Sequence, residues 1–211
     1  YNTLETKKGG FFKLSLPDGS RVFLNAASSI TFPTVFSGTE RKVRVTGEAY
    51  FEVSKDPSKK FVVEASGVVT EVLGTRFNVN TYRDNDAASV TLLEGAVRVR
   101  NADHSTVLKP GDQAQLKGND RIKVTAQVDI EKVMGWKNGV FRMRETDIQT
   151  IMKEVERWYD VDVVFEGQVS QTFTGTISRK EPISKLLKLL EMTEVVRFRI
   201  EGRTIIVIGS K

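Results

Sequence analysis

Five carboxylates, Glu48, Glu52, Glu64, Glu71 and Glu94, recur along a stretch of alternating apolar residues. Two of them facing each other across strands could form the acid–base pair of a glycosidase. The alternation does not supply their separation, and such residues are ordinarily solvated strand faces. Serines are common, but a Ser-His-Asp site would have to recruit His104, the single histidine. Gly9-Gly10 is not followed by the Gly-Lys-Ser pattern of a phosphate loop. There is no cysteine, which removes disulfides, zinc–thiolate sites and thiol nucleophiles together.

Pro110-Gly111-Asp112 after a β-rich stretch is similar to the second metal motif of a cupin. Such sites take about two or three imidazoles with a carboxylate, and His104 stands alone in the polar segment Asn101-Ala102-Asp103-His104-Ser105. His104 is therefore read as a loop residue. Residues able to run a reaction do not gather anywhere, so catalytic, cofactor and metal sites are not expected.

The elements that carry these residues change period near Gln127. Before it, short alternating strands are broken by Gly, Asp and Pro. Phe12, Leu14 and Leu16 alternate with polar neighbours, as do Val22, Leu24 and Ala26. Between the two runs, Pro17-Asp18-Gly19 has the φ preferences of a hairpin turn, which makes Asp18 a turn former. Val43 and Val45 lead into Gly47, and Ala49, Phe51 and Val53 continue at period two. Further strands are read around Phe61–Val63, Val68–Leu73, Phe77–Val79, Val90–Leu93 and Val97–Val99. Strands at this spacing predict a mainly β domain over residues 1–127. A sandwich, an open barrel or a solenoid-like stack of short antiparallel strands would each fit.

Residues 128–139 read as a linker with a short helix within Asp129–Trp136, and residues 140–211 as a small α+β domain. Thr146 and Gln149 have capping-box spacing. Ile148, Ile151, Met152 and Val155 then make one apolar stripe, extended by Trp158 and Tyr159, and Asp160 ends the helix. Trp158 and Tyr159 read as core-rim residues rather than a ligand shelf. Pro182 suits the first turn of a second helix with the stripe Ile183, Leu186, Leu187 and Leu190. The two units share a register at an offset of about 35 residues, so the domain reads as two strand-helix-strand repeats. Each helix has one stripe to cover, and the economical solution is one small sheet with both helices on one side, leaving its other face and edges available. Thr172, Thr174 and Thr176 alternate, and Arg197, Arg199 and Arg203 form a polar set. Both suit an exposed strand face or edge, either solvated or partner-binding.

Composition agrees with a globular protein: 39% hydrophobic and 28% charged residues. The 32 Lys and Arg residues give a net charge of +5 but are scattered, which argues against nucleic-acid binding. No run approaches the ~18 apolar residues of a membrane span. The chain begins at Tyr1 without Met, as a piece of a longer protein would.

Taken in order, five blocks resemble the FecR-type anti-sigma regulators: Leu16-Pro17-Asp18-Gly19-Ser20-Arg21-Val22-Phe23-Leu24-Asn25-Ala26, Gly47-Glu48-Ala49-Tyr50-Phe51-Glu52-Val53, Gly74-Thr75-Arg76-Phe77-Asn78-Val79, Leu93-Glu94-Gly95-Ala96-Val97 and Leu108-Lys109-Pro110-Gly111-Asp112-Gln113. The remainder, through Trp136-Lys137-Asn138-Gly139-Val140-Phe141 and Tyr159-Asp160-Val161-Asp162-Val163, resembles the C-terminal domain often attached to that family, itself similar to the short N-terminal domain of secretins and TonB-dependent receptors.

The resemblance implies a periplasmic region of a single-pass inner-membrane regulator. It would sense the signalling domain of a substrate-loaded TonB-dependent outer-membrane transporter and relay that signal to an extracytoplasmic-function sigma factor. The sigma factor would be held by a cytoplasmic segment that this chain lacks. The residues themselves, rather than the resemblance, point to the C-terminal half as the partner surface: Thr172, Thr174, Thr176, Arg197, Arg199 and Arg203 are its candidate residues, with strand addition as the expected mode. A glycan-binding or adhesion module of the cell envelope is the alternative, and it would need a platform of exposed aromatic rings.

Overall fold

The computed structural model describes residues 1–118 and 120–209; Asn119, Ser210 and Lys211, which fall within the expected domains, lie outside the described residues. The chain divides into two compact units, Tyr1–Val133 and Met134–Lys211.

In unit 1 the strands are Asn2–Glu5 (β1), Phe12–Ser15 (β2), Arg21–Leu24 (β3), Ser29–Phe32 (β4), Arg41–Glu52 (β5), Phe61–Ala65 (β6), Val68–Val72 (β7), Arg76–Thr81 (β8), Ala88–Glu94 (β9), Val97–Arg100 (β10), Ser105–Leu108 (β11), Gln113–Leu116 (β12) and Lys123–Thr125 (β13), followed by the short helix Ile130–Val133 (α1). Strand β5 belongs to two layers. Its first half pairs with β4 and β6, in a layer completed by β1, β7, β10 and β11. Its second half pairs with β3 and β8, in a layer completed by β2, β9, β12 and β13.

The two layers enclose one core. Phe51 of the second layer stacks on Phe77 with ring centres 5.0 Å apart and meets Phe61 of the first layer edge-on at 6.0 Å. All three rings are fully buried. Two-layer packing of alternating strands resolves the choice left open by pattern: unit 1 is a sandwich. Its pairing is antiparallel except between β5 and β6, which run parallel. Parallel neighbours usually need a long crossover. Segment 53–60 suffices here because β5 itself turns from one layer into the other. Arg41 holds that segment, donating to the carbonyls of Lys59 and Ser54 at 2.9 and 2.8 Å.

In unit 2 the elements are Val140–Asp147 (β14), Ile148–Tyr159 (α2), Asp162–Glu166 (β15), Thr172–Ser178 (β16), Ile183–Glu191 (α3), Val196–Glu201 (β17) and Thr204–Gly209 (β18). The repeat is present as β14-α2-β15 and β16-α3-β17, with β18 added. The strands do not make one sheet. β14 and β16 form an antiparallel ribbon, while β15, β18 and β17 form a three-stranded sheet with β18 central. Phe141, Phe173 and Ile177 of the ribbon share a core with Val196, Ile205 and Val207 of the sheet and with both helix stripes. The expected single sheet with two helices on one side is thus replaced by two small sheets around a common core, which covers the apolar stripes from more than one direction.

Helix α2 starts one residue later than the capping box implies. β14 runs through Asp147, so Thr146 remains in the strand and its hydroxyl donates to the Arg144 carbonyl at 3.2 Å. Asp147 is the cap, accepting from the Thr150 N–H at 2.7 Å and the Thr150 hydroxyl at 2.8 Å. Burial pushes the Asp147 carboxyl up, but these Thr150 bonds outweigh it and hold it below the usual range. At the other end Asp160 takes the left-handed conformation, φ 53°, that ends α2. Pro182 precedes α3 in extended conformation rather than lying in its first turn.

Candidate partner interface

The residues that attract a catalytic reading turn out to be joints of the sandwich. Asp18 accepts from the N–H and hydroxyl of Ser20 within the hairpin turn, at 3.1 and 2.7 Å, and pairs with buried Arg41 at 2.9 Å. Glu48 is buried and accepts from the side-chain amides of Asn25 and Asn78, at 2.8 and 2.9 Å. These three residues come from three different blocks of the sequence. Gly47, φ +77°, is where β5 changes layers, and a Cβ there would sit 2.4 Å from the Ser28 hydroxyl oxygen. Thr75 donates to the Ala96 carbonyl at 3.1 Å, joining the third block to the fourth. Gly111 N–H donates to the Leu92 carbonyl at 2.9 Å, and Leu92 N–H returns to the Asp112 carbonyl at 3.0 Å. The ordered blocks are therefore the cross-ties of the fold.

The remaining carboxylates are neutralised singly rather than paired with one another. Glu64 is held below the usual carboxylate range by its bond from Lys42, then by Arg44. Burial pushes Glu71 up, but Arg100 and Lys60 outweigh it and bring it below the usual value. Glu52 pairs with Arg21 and Glu94 with Arg76, at 2.5 and 3.1 Å. Tyr50 beside Glu52 is pushed up to about 12, first by burial and then by that charge. His104 lies in the turn between β10 and β11, its N–H donating to the Asn101 side chain at 2.8 Å. Among the described residues, no group of three or more His, Asp or Glu could hold a metal ion. A groove of about 390 Å³ on unit 1 is lined by Leu73, Val97, Arg98 and Val107 among others; it is mainly apolar and open, without converging acids.

In unit 2, Thr172, Thr174 and Thr176 are exposed on the ribbon while Phe173, between the first two, and Ile177, just after the third, enter the core. The Thr174 hydroxyl is already engaged: it accepts from Glu145 N–H at 3.0 Å, at the bulge where the β14–β16 register shifts. Arg197 and Arg199 lie on a different sheet, on one face of β17, with Ile208 and Ile206 beside them on β18. Across that face Arg199 reaches Glu166 at 3.1 Å and Glu201 at 2.8 Å. Arg203 is in the hairpin loop and pairs with Asp160 at 3.1 Å. The six residues thus divide into a threonine row, an arginine row and one loop residue. Trp158 and Tyr159 are core-rim residues: the indole N–H donates to the Arg179 carbonyl at 2.9 Å, and the phenol donates to the Glu181 carbonyl at 2.7 Å.

Two side chains carry roles that the sequence pattern does not show. Arg179 is almost fully buried, stacks on Phe141 and Trp158 and reaches Glu154 at 2.9 Å. Glu191, at the end of α3, accepts the edge N–H of Phe198 on β17 at 2.9 Å. Arg179 sits between Ser178 and Lys180 and reads as a loop cation; Glu191 follows an apolar stripe as any helix-end carboxylate does. No helix among the described residues is long and apolar enough to cross a membrane.

A cross-tied β sandwich followed by a repeated α+β unit also occurs in solved structures. Over its whole length the chain is similar to an anti-sigma factor proposed for Parabacteroides distasonis ATCC 8503, in crystal structures at 1.65 and 2.50 Å resolution. The identity is 27% in both cases, the TM-scores are 0.90 and 0.89, and the alignments cover 100% of this chain and 100% and 99% of those chains. No curated protein matches the chain. Two family models match in chain order, "FecR protein" over residues 2–98 and "FecR, C-terminal" over residues 140–207. The chain belongs to the FecR family, a family of membrane-anchored regulators.

Proposed function

We propose that this chain is the periplasmic sensor part of a transmembrane anti-sigma regulator. It receives a signal from the signalling domain of a TonB-dependent outer-membrane transporter and relays it toward an extracytoplasmic-function sigma factor. The sigma-factor contact falls to a cytoplasmic segment of the full regulator. Family membership and the whole-length similarity to an anti-sigma factor support the regulatory role.

The observation that carries the partner reading is the helix-free face of the three-stranded sheet. There Arg197 and Arg199 stand exposed beside Ile206 and Ile208, with Val164 half-exposed on β15. A face that sets Arg197 and Arg199 among apolar residues and the carboxylates of Glu166 and Glu201 suits a protein surface of matching mixed charge, whose ion pairs would fix register and whose apolar residues would add affinity. Thr172, Thr176 and Arg203 remain secondary candidates. Thr174 is a weaker one, because its hydroxyl already serves the bulge.

The test is calorimetric titration of this chain with purified signalling domains of TonB-dependent transporters from the same genome. One domain should saturate it, and Arg197→Glu with Arg199→Glu should weaken that domain's binding at least tenfold. Failure of every domain to bind would overturn the partner reading.

A further inference from the structure

We propose that a partner's extended segment joins the three-stranded sheet of unit 2 at β15, and that Glu191 keeps the opposite edge, β17, closed. The inference rests on the partner reading above and assigns the partner its strand.

Strands β15 and β17 are the two edges of this sheet. In a parallel ladder, successive residues turn their backbone groups to opposite sides. Asp162 N–H donates to the Arg203 carbonyl at 3.0 Å, so Asp162, Val164 and Glu166 address β18. Val163 and Phe165 therefore turn N–H and C=O away from the sheet, and neither has a backbone partner there among the described residues. The side chains along this edge are apolar and accessible: Val164 is 49% exposed and Phe165 38%. An uncovered edge with apolar side chains is a template for another strand.

The β17 edge is different. Phe198 is its central outward-facing residue, and its N–H is held by the Glu191 carboxylate at 2.9 Å. A strand docking there would have to break a charge-assisted bond and bring its own backbone up against a carboxylate. A side-chain acceptor on an edge N–H is a means of blocking edge-to-edge pairing.

Charge narrows the occupant of β15. Asp162 is exposed and has no ion pair among the described residues, whereas Glu166 is engaged by Arg199. A second copy of this chain, paired antiparallel about Val164, would set Asp162 opposite Glu166, carboxylate against carboxylate, which is unfavourable for directly opposed residues. The fitting occupant is a different chain in extended conformation, with apolar residues at alternate positions and a Lys or Arg against Asp162.

Two probes separate this inference from the partner reading. One is the transporter signalling domain that saturates the chain. The other is a capped peptide of alternating valine and lysine, which does not depend on the transporter's identity. With either probe, amide shifts in NMR should centre on Val163 and Phe165. Val163→Pro deletes an outward N–H without removing a ladder bond and should weaken binding at least tenfold. Asp162→Lys should do the same, and it decides the matter if the proline variant fails to fold. Glu191→Ala should leave affinity within about twofold. A signalling domain that binds while Val163→Pro and Asp162→Lys match the wild type overturns the edge assignment and leaves the partner reading standing. Shifts centred on Phe198, pairing between copies of the chain through β15, or no peptide binding also overturn it.

Discussion

The guanidinium of Arg179 lies 4.6 Å from the ring centre of Phe141, stacked on the residue that opens the core of unit 2. The same group sits 5.2 Å from the Trp158 ring centre, reaches Glu154 at 2.9 Å and donates to the Val140 carbonyl at 3.3 Å. Arg179→Leu keeps bulk but loses every one of these polar contacts. It should destabilise unit 2 by about 2 kcal/mol or more. Arg179→Lys should recover little, because an ammonium cannot stack and fork at once. Chemical denaturation of the two variants, read by tryptophan fluorescence, checks both expectations.

Gly47 offers a second test. Its left-handed backbone, φ +77°, penalises any side chain, and a Cβ would meet the Ser28 hydroxyl oxygen at 2.4 Å and the Ala27 carbonyl oxygen at 2.9 Å. Backbone strain and overpacking together make Gly47→Ala cost about 2–4 kcal/mol. Gly67, φ +80° with open space around it, is the control: Gly67→Ala carries only the backbone penalty and should cost about half as much or less. Equal losses of Tm in the two variants would show that the layer change at Gly47 tolerates a methyl group.

Glu48 binds two side-chain amides, so removing it leaves two buried donors without that acceptor. Glu48→Leu should cost about 2–5 kcal/mol, since each stranded donor loses about 1–3 kcal/mol. Adding Asn25→Leu and Asn78→Leu to that background should recover part of the loss. A triple variant less stable than the single one would remove the clamp from this account.

The cap of α2 gives a pH signature. Asp147 has its carboxyl held below the ordinary value of 3.8, so folding favours its charged form. The unfolded chain then binds the proton more readily, and the cap's contribution is complete above pH 3.8. It is lost as pH falls below that value and through the folded-state pKa. Asp147→Ala should cost about 1 kcal/mol at pH 7, with the gap to wild type closing below about pH 4. Urea melts at pH 7, 4.5 and 3 measure the gap directly.

Most of the secondary structure is legible in the sequence because its causes are local. Period-two runs give the strands of unit 1, and the stripes through Ile148 and Ile183 give the two long helices. Tertiary choices are less visible. Odd-numbered residues face the core on both sides of Gly47, Val43 and Val45 before it and Ala49 and Phe51 after it, so the pattern has no mark where β5 changes layers. Thr146 and Asp147 are both good caps, and only the length of β14 selects Asp147. An apolar stripe states that a face is buried but not how many sheets bury it, which is why the ribbon and the three-stranded sheet read as one. Of the candidate interface, the exposure of the threonines and of Arg197 and Arg199 follows from alternation. The bond from Phe198 to Glu191 depends on where α3 ends relative to β17, and alternation is blind to that.

Strand β5 has one further consequence. A layer that lacks either half of β5 has a gap at its centre, so neither layer of the sandwich is complete until the whole strand is in place. Melting of unit 1 should therefore be cooperative, with amides from β6 and β8 exchanging at a common rate through a single global opening. The glycine that lets one strand serve both layers would then set how much of the molecule comes apart at once.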